Sequence, residues 1–110
     1  PTIEALAFKL SQKGIIASTA LNGEEAIERI KREKYDLILL DLLLPKKSGF
    51  EVLKEIKNNG FPKETKIIVL SNLGQQENVK KAMQLGASDY IVKSDININD
   101  LAERIIKELV

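Results

Sequence analysis

The sequence contains no cysteine and no histidine. Without cysteine there is no disulfide, no thiolate nucleophile and no Cys-ligated zinc. Without histidine the usual general base is gone, together with the usual transition-metal ligand and every Ser-His-Asp arrangement. Any chemistry must run on Asp, Glu, Ser, Thr, Lys, Tyr and backbone groups, a ligand set that suits a hard cation such as Mg²⁺ better than zinc. An excess of charge is also missing: 17 Lys and Arg face 16 Asp and Glu, a net +1. That speaks against nucleic acid as a partner, because phosphate-backbone binding needs a clustered basic excess. Long apolar runs are absent too. None exceeds Leu37–Leu40, which is strand length and far short of a membrane span. No signal peptide opens the chain, so a cytoplasmic location is the default expectation and no membrane partner is expected.

What is present suits a single domain over residues 1–110. A hydrophobic fraction of 44% and a charged fraction of 30% are those of an ordinary globular protein. Helix and strand periods alternate along the chain. Ile3, Leu6, Ala7 and Leu10 share one helix face, and Gly14 stops that helix. Ile15–Thr19 reads as a short strand near an edge. Asn22 and Glu25 have capping spacing, and the helix behind them runs to about Lys34 with Ala26, Ile27 and Ile30 inward. Leu37–Leu40 is a continuous apolar run ending at Asp41, the mark of a strand buried on both faces of a parallel sheet. Ser48 and Glu51 open another helix, with Val52, Leu53 and Ile56 inward, which Asn59 and Gly60 end. Ile67–Leu70 is a second buried run, ending at Ser71. A helix from about Gln75 to Leu85 is closed by Gly86. Tyr90, Ile91 and Val92 form a strand ending at Lys93. Asn97 caps a last helix with Leu101, Ile105 and Leu109 inward. This alternation predicts an α/β fold with an open parallel sheet.

Three polar residues therefore end three buried strands: Asp41, Ser71 and Lys93. The carboxyl ends of parallel strands form one rim, where ligands bind. Taken singly, each has a plainer explanation. An Asp after a strand is most often a turn or cap residue, a Ser a cap, and a Lys a surface charge. Their shared position argues for more. A carboxylate can attack a phosphoryl group and become an acyl phosphate. A hydroxyl and an ammonium can hold the phosphoryl oxygens as charge moves onto them.

The segment Asp41-Leu42-Leu43-Leu44-Pro45, followed by Ser48-Gly49, resembles the phosphoacceptor loop of response regulator receiver domains. Ser71 matches the Ser/Thr after the fourth strand of that family, and Asp89-Tyr90-Ile91-Val92-Lys93 resembles its fifth strand. Asn22-Gly23-Glu24-Glu25-Ala26 and Leu85-Gly86-Ala87 are similar to it as well. The resemblance implies a flavodoxin-like sheet of order 2-1-3-4-5 with helices on both faces. It implies a signalling domain rather than an enzyme, with slow self-dephosphorylation as its only turnover. Asp41 would take phosphate from a histidine kinase or histidine phosphotransfer protein, with Ser71 and Lys93 on the phosphoryl group. Asp41 and the backbone carbonyl of Leu43 would ligate Mg²⁺. Ser71 and Tyr90 would act together as the switch, reporting to an output partner on the face of the family's fourth helix, fifth strand and fifth helix. Tyr90 packing as an ordinary strand aromatic is the plainer alternative.

The chain also departs from the family pattern. Asn72 stands where a small residue is usual, and Ser94 stands where the family has proline. A non-proline cis bond costs roughly 2.5–4 kcal/mol, so the bond before Ser94 is expected to be trans. The sequence opens at Pro1, just past the place of the family's first strand and its two adjacent Mg²⁺-binding acids. Mg²⁺ binding by these residues alone is therefore expected to be weak. The space between Ile15–Thr19 and Leu37–Leu40 is expected to be filled by residues outside the sequence, by a strand from another chain (a homodimer or strand exchange), or by closure of the two flanking strands. A receiver-like interaction scaffold that is never phosphorylated is the alternative reading. A phosphohydrolase or flavoprotein is disfavoured by the lack of further acids near Asp41 and of a Gly/Ser/Thr-rich phosphate loop.

Overall fold

The computed structural model describes residues 2–18, 20, 22–42, 46–58, 65–71 and 76–109. Among these residues three parallel strands, β1 (Leu37–Asp41), β2 (Lys66–Ser71) and β3 (Asp89–Val92), lie in the order β1-β2-β3. Five helices accompany them: α1 (Thr2–Ser11), α2 (Gly23–Arg32), α3 (Gly49–Asn58), α4 (Gln76–Gln84) and α5 (Ile98–Leu109). The capping residues expected from the sequence act as such. The Glu25 amide donates to Asn22 Oδ1 at 2.9 Å, the Glu51 amide to Ser48 Oγ at 3.3 Å, and the Asp100 amide to Asn97 Oδ1 at 2.9 Å. Each bond satisfies an amide that the first helical turn leaves without a partner. At the other end of α1, Gly14 sits at φ +79°. The Ile15 amide there reaches back to Leu10 O at 3.0 Å and the Gly14 amide to Ser11 O at 3.1 Å, the paired bonds of a Schellman stop. Gly86, at φ +107°, closes α4 in the same way.

The period-2 alternation of the strands divides the core. Ile67 and Val69 join Leu40, α2, α3 and α4 on one face, through Ile27, Ile30, Val52, Leu53, Ile56 and Ala82. Ile68, Leu70 and Ile91 join α1 and α5 on the other, through Leu6, Leu10, Leu101, Ala102 and Ile105. Two further ties run between α5 and the sheet, an Arg104–Asp89 ion pair and Lys66 Nζ to Glu108 at 3.1 Å. The arrangement is an α/β open parallel sheet covered on both faces, as expected, and its strands correspond to positions 3, 4 and 5 of the 2-1-3-4-5 order.

Two expectations are corrected. Ile15–Ser18 form no strand, and Ile16 is 95% exposed (Thr19 lies outside the described residues). The apolar character of that segment is real, but among the described residues no strand lies beside it to pair with its backbone. The Leu37–Leu40 run is a strand, yet it is not buried on both faces as read. Only Leu40 is fully buried, while Leu37, Ile38 and Leu39 are half-buried. Among the described residues, β1 pairs with β2 alone and forms the sheet edge. β2, flanked on both sides, has five of its six residues buried. Closure of the sheet by the Ile15 segment against β1 is therefore absent among the described residues.

Candidate functional site

The parallel register places the expected residues on one rim. Asp41 lies opposite Leu70, so Ser71 follows one residue later, and Ser71 lies opposite Val92, so Lys93 follows one later again. Lys93 Nζ donates to Asp41 Oδ2 across the rim, spanning β2. Both partners keep partial access to solvent, which a carboxylate needs if it is to meet a phosphodonor. Ser71 is fully buried between them at the end of the central strand. Tyr90, half-buried on the α2/α3/α4 face, is near enough to Ser71 for the two side chains to interact. Burial raises the Tyr90 phenol above its usual range and the charge of Asp41 adds to that, while the interaction with Ser71 works the other way. Asp41, Ser71, Lys93 and Tyr90 thus form one connected set. Leu43 and Asn72 lie outside the described residues.

After Lys93 the chain makes a 3₁₀ turn over Lys93–Asp95, closed by the Ile96 amide on Lys93 O at 3.4 Å. There is no cis peptide among the described residues, in line with the expectation at Ser94.

The chain after Asp41 shows three features that sequence reasoning missed. Gly49 is buried against the end of β1. Its amide donates to Leu42 O at 3.0 Å, and a Cβ there would lie 2.5 Å from Asp41 O and 2.6 Å from Leu42 Cα. Lys47 Nζ bonds Glu55 Oε1 at 2.6 Å. Lys46 is an exposed residue at φ +66°. Gly49 could have been flagged from its place in the phosphoacceptor-like segment, but the other two carry no signal in the sequence.

The left-handed backbone at Lys46 costs a non-glycine residue about 1–2 kcal/mol, and asparagine tolerates it best. Lys46→Asn is expected to raise stability by about 0.5–1 kcal/mol, and Lys46→Val to lower it by about 1–2 kcal/mol. The check is a denaturant midpoint measured at constant m-value. A Val variant as stable as the parent would contradict the left-handed assignment.

As a metal site the described residues are poor. They contain no group of three or more acidic, histidine or cysteine side chains that could hold an ion. Asp41 supplies one carboxylate, already paired with an ammonium, whereas Mg²⁺ dehydrates reluctantly and needs carboxylate charge to hold it. These residues do not fit Mg²⁺ by themselves.

The parallel α/β sheet, with Asp, Ser and Lys on its carboxyl rim, is that of the flavodoxin-like class of signalling domains. The chain belongs to the response regulator receiver domain family, whose profile matches residues 2–106. It is 41% identical to the transcriptional regulatory protein DltR of Streptococcus agalactiae over 90 residues, which are 82% of this chain and 39% of that protein. It is likewise 41% identical over 78 residues to the chemotaxis protein CheY of Thermotoga maritima, covering 71% of this chain and 63% of that one. The chain thus spans about two fifths of the first relative. Among solved structures, a two-component response regulator from Clostridium difficile superposes with a TM-score of 0.86 at 30% identity, covering 97% of this chain and 85% of that one. The CheY of a CheX-CheY-BeF3-Mg²⁺ complex from Borrelia burgdorferi does so with a TM-score of 0.84 at 29% identity, over 99% and 81%. No helix among the described residues is long and apolar enough to cross a membrane.

Proposed function

We propose that this chain is the receiver of a two-component phosphorelay, with Asp41 accepting a phosphoryl group from a histidine kinase or a histidine phosphotransfer protein. The observation that carries this reading is the Lys93–Asp41 pair across the rim, with Ser71 buried between its members. A carboxylate oxygen of Asp41 attacks phosphorus, the bond from phosphorus to the donor breaks, and the donor's leaving group takes up a proton. Lys93 loses its partner charge as the carboxylate becomes an acyl phosphate, and its ammonium is then free to hold a phosphoryl oxygen. The Ser71 hydroxyl gives a further contact. Drawing Ser71 toward the phosphoryl group loosens its interaction with Tyr90, which passes the change to the α4–β3–α5 face. An output partner would read that face. Mg²⁺ dependence is what membership of the family implies, and BeF3 and Mg²⁺ are named with the Borrelia burgdorferi CheY. Hydrolysis of the acyl phosphate would make the signal slowly self-erasing. No role for nucleic acid or membrane is proposed, and a cytoplasmic setting accords with a kinase partner.

The single carboxylate at the described site favours a second reading, an unphosphorylated interaction scaffold. Incubation with acetyl phosphate and Mg²⁺, followed by intact mass, separates the two. The protein is expected to gain one phosphate and Asp41→Asn none. A modified Asn variant would displace the acceptor from Asp41, and an unmodified parent would favour the scaffold.

A further inference from the structure

The segment that follows Asp41 is clamped at its far end by contacts that the phosphoryl chemistry does not itself require. Gly23, buried at the start of α2, lies so close to Lys47 that a Cβ would stand 2.3 Å from Lys47 O and 2.5 Å from Lys47 Cβ. No side chain fits there without moving backbone. Lys47 Nζ then reaches the other way, to Glu55 on α3, at 2.6 Å. That bond raises the Lys47 ammonium and lowers the Glu55 carboxyl from their usual values, and the charges of Glu51 and Glu24 favour the ammonium further. Lys47 therefore joins α2 to α3 at the point where the chain returns from Asp41. Two residues later Gly49 rests on the carbonyl of Asp41 itself.

We propose that Gly23 and Lys47 are positioning residues for phosphoryl transfer: Lys47, seated on Gly23 and fastened to Glu55, fixes the Lys46–Gly49 turn that packs on the end of the Asp41 strand. This rests on the reading of Asp41 as the acceptor. Among the described residues Asp41 pairs with β2 on one side, and its carbonyl packs directly against Gly49. Gly49 sets the place of the Asp41 carbonyl, and Gly23 and Glu55 hold Lys47 two residues before it. A displacement of roughly 1 Å at reacting atoms can slow a reaction on the order of 10²-fold, so a modest shift here is enough to matter.

The test is single-turnover phosphorylation of the intact protein by acetyl phosphate, with rate measured against donor concentration and each variant held well below its melting temperature. Gly23→Ala is expected to lower the saturating rate by about tenfold or more, with the half-saturating donor concentration within about twofold. Glu55→Ala, a half-buried position on the helix surface where alanine keeps the helix, is expected to lower it by about two- to fivefold, the range a half-exposed ion pair can carry. Hydrogen exchange at the Gly49 amide should accelerate in both variants. Folded variants that phosphorylate at the parental saturating rate would overturn the proposal, as would a change confined to half-saturation. If Gly23→Ala does not fold, Glu55→Ala decides alone. A parent that takes no phosphate refutes the reading of Asp41 instead, and the parent alone reveals that failure.

Discussion

Lys93→Ala is expected to slow phosphorylation of Asp41 by about 10²- to 10³-fold while leaving the fold nearly intact. An ammonium held at the point where phosphoryl charge develops acts in the transition state, and removing one such group costs roughly 2.7–4 kcal/mol in comparable electrostatic sites. Its structural role is small by contrast. The Lys93–Asp41 pair is partly solvated, with side-chain exposures of 38% and 27%, and pairs of that kind contribute about 0–1 kcal/mol to stability. Lys93 also lies outside both apolar clusters. The rate constant and the melting temperature should therefore separate. A variant that melts early yet accepts phosphate at the parental rate would make Lys93 a structural residue.

A polypeptide of residues 1–110 alone is expected to self-associate rather than persist as a stable monomer. Among the described residues β1 pairs with β2 alone, and a strand edge of that kind promotes association. Its apolar side chains Leu37, Ile38 and Leu39 are only half-buried, and Ile16 stands almost fully in solvent. A further strand beside β1 would bury about four apolar side chains of its own, at roughly 1.5–3 kcal/mol each. The sum, on the order of 6–12 kcal/mol, rivals the whole stability of a typical domain, about 5–15 kcal/mol. Sedimentation of the 110-residue polypeptide should show concentration-dependent oligomers. A monomer that unfolds cooperatively at ordinary denaturant concentrations would mean that the two helix-covered faces suffice without that strand.

Much of the fold was legible because its signals are local. The run Ile67–Leu70 is buried as read, the caps at Asn22, Ser48 and Asn97 bond as their spacing indicated, and the inward residues of α3 and α5 face the core. The rim of Asp41, Ser71 and Lys93 was legible for the same reason, since a polar residue ending an apolar strand has only one place to go in a parallel sheet. The misreadings at Ile15–Ser18 and at β1 concern what lies beside a strand. A strand's sequence records the faces its side chains point to, whereas its neighbours depend on residues elsewhere in the sheet. Apolar Ile15 and Ile16 suit a strand, yet a strand exists only when its backbone groups are paired. The clamp on the phosphoacceptor loop was hidden for a related reason. Gly23 meets Lys47 across 24 residues of chain, and Lys47 meets Glu55 across no helical period, so neither contact leaves a pattern in the sequence.

The central claim is that the carboxylate of Asp41 carries the phosphoryl group, and trapping the acyl phosphate tests it most directly. Borohydride reduces an acyl phosphate to the alcohol, so a phosphorylated aspartate becomes homoserine while an unmodified one is untouched. Protein treated with acetyl phosphate, reduced and digested should yield homoserine at position 41 and at no other aspartate or glutamate. Aspartate intact at position 41, with phosphate found on another residue or on none, would contradict the account.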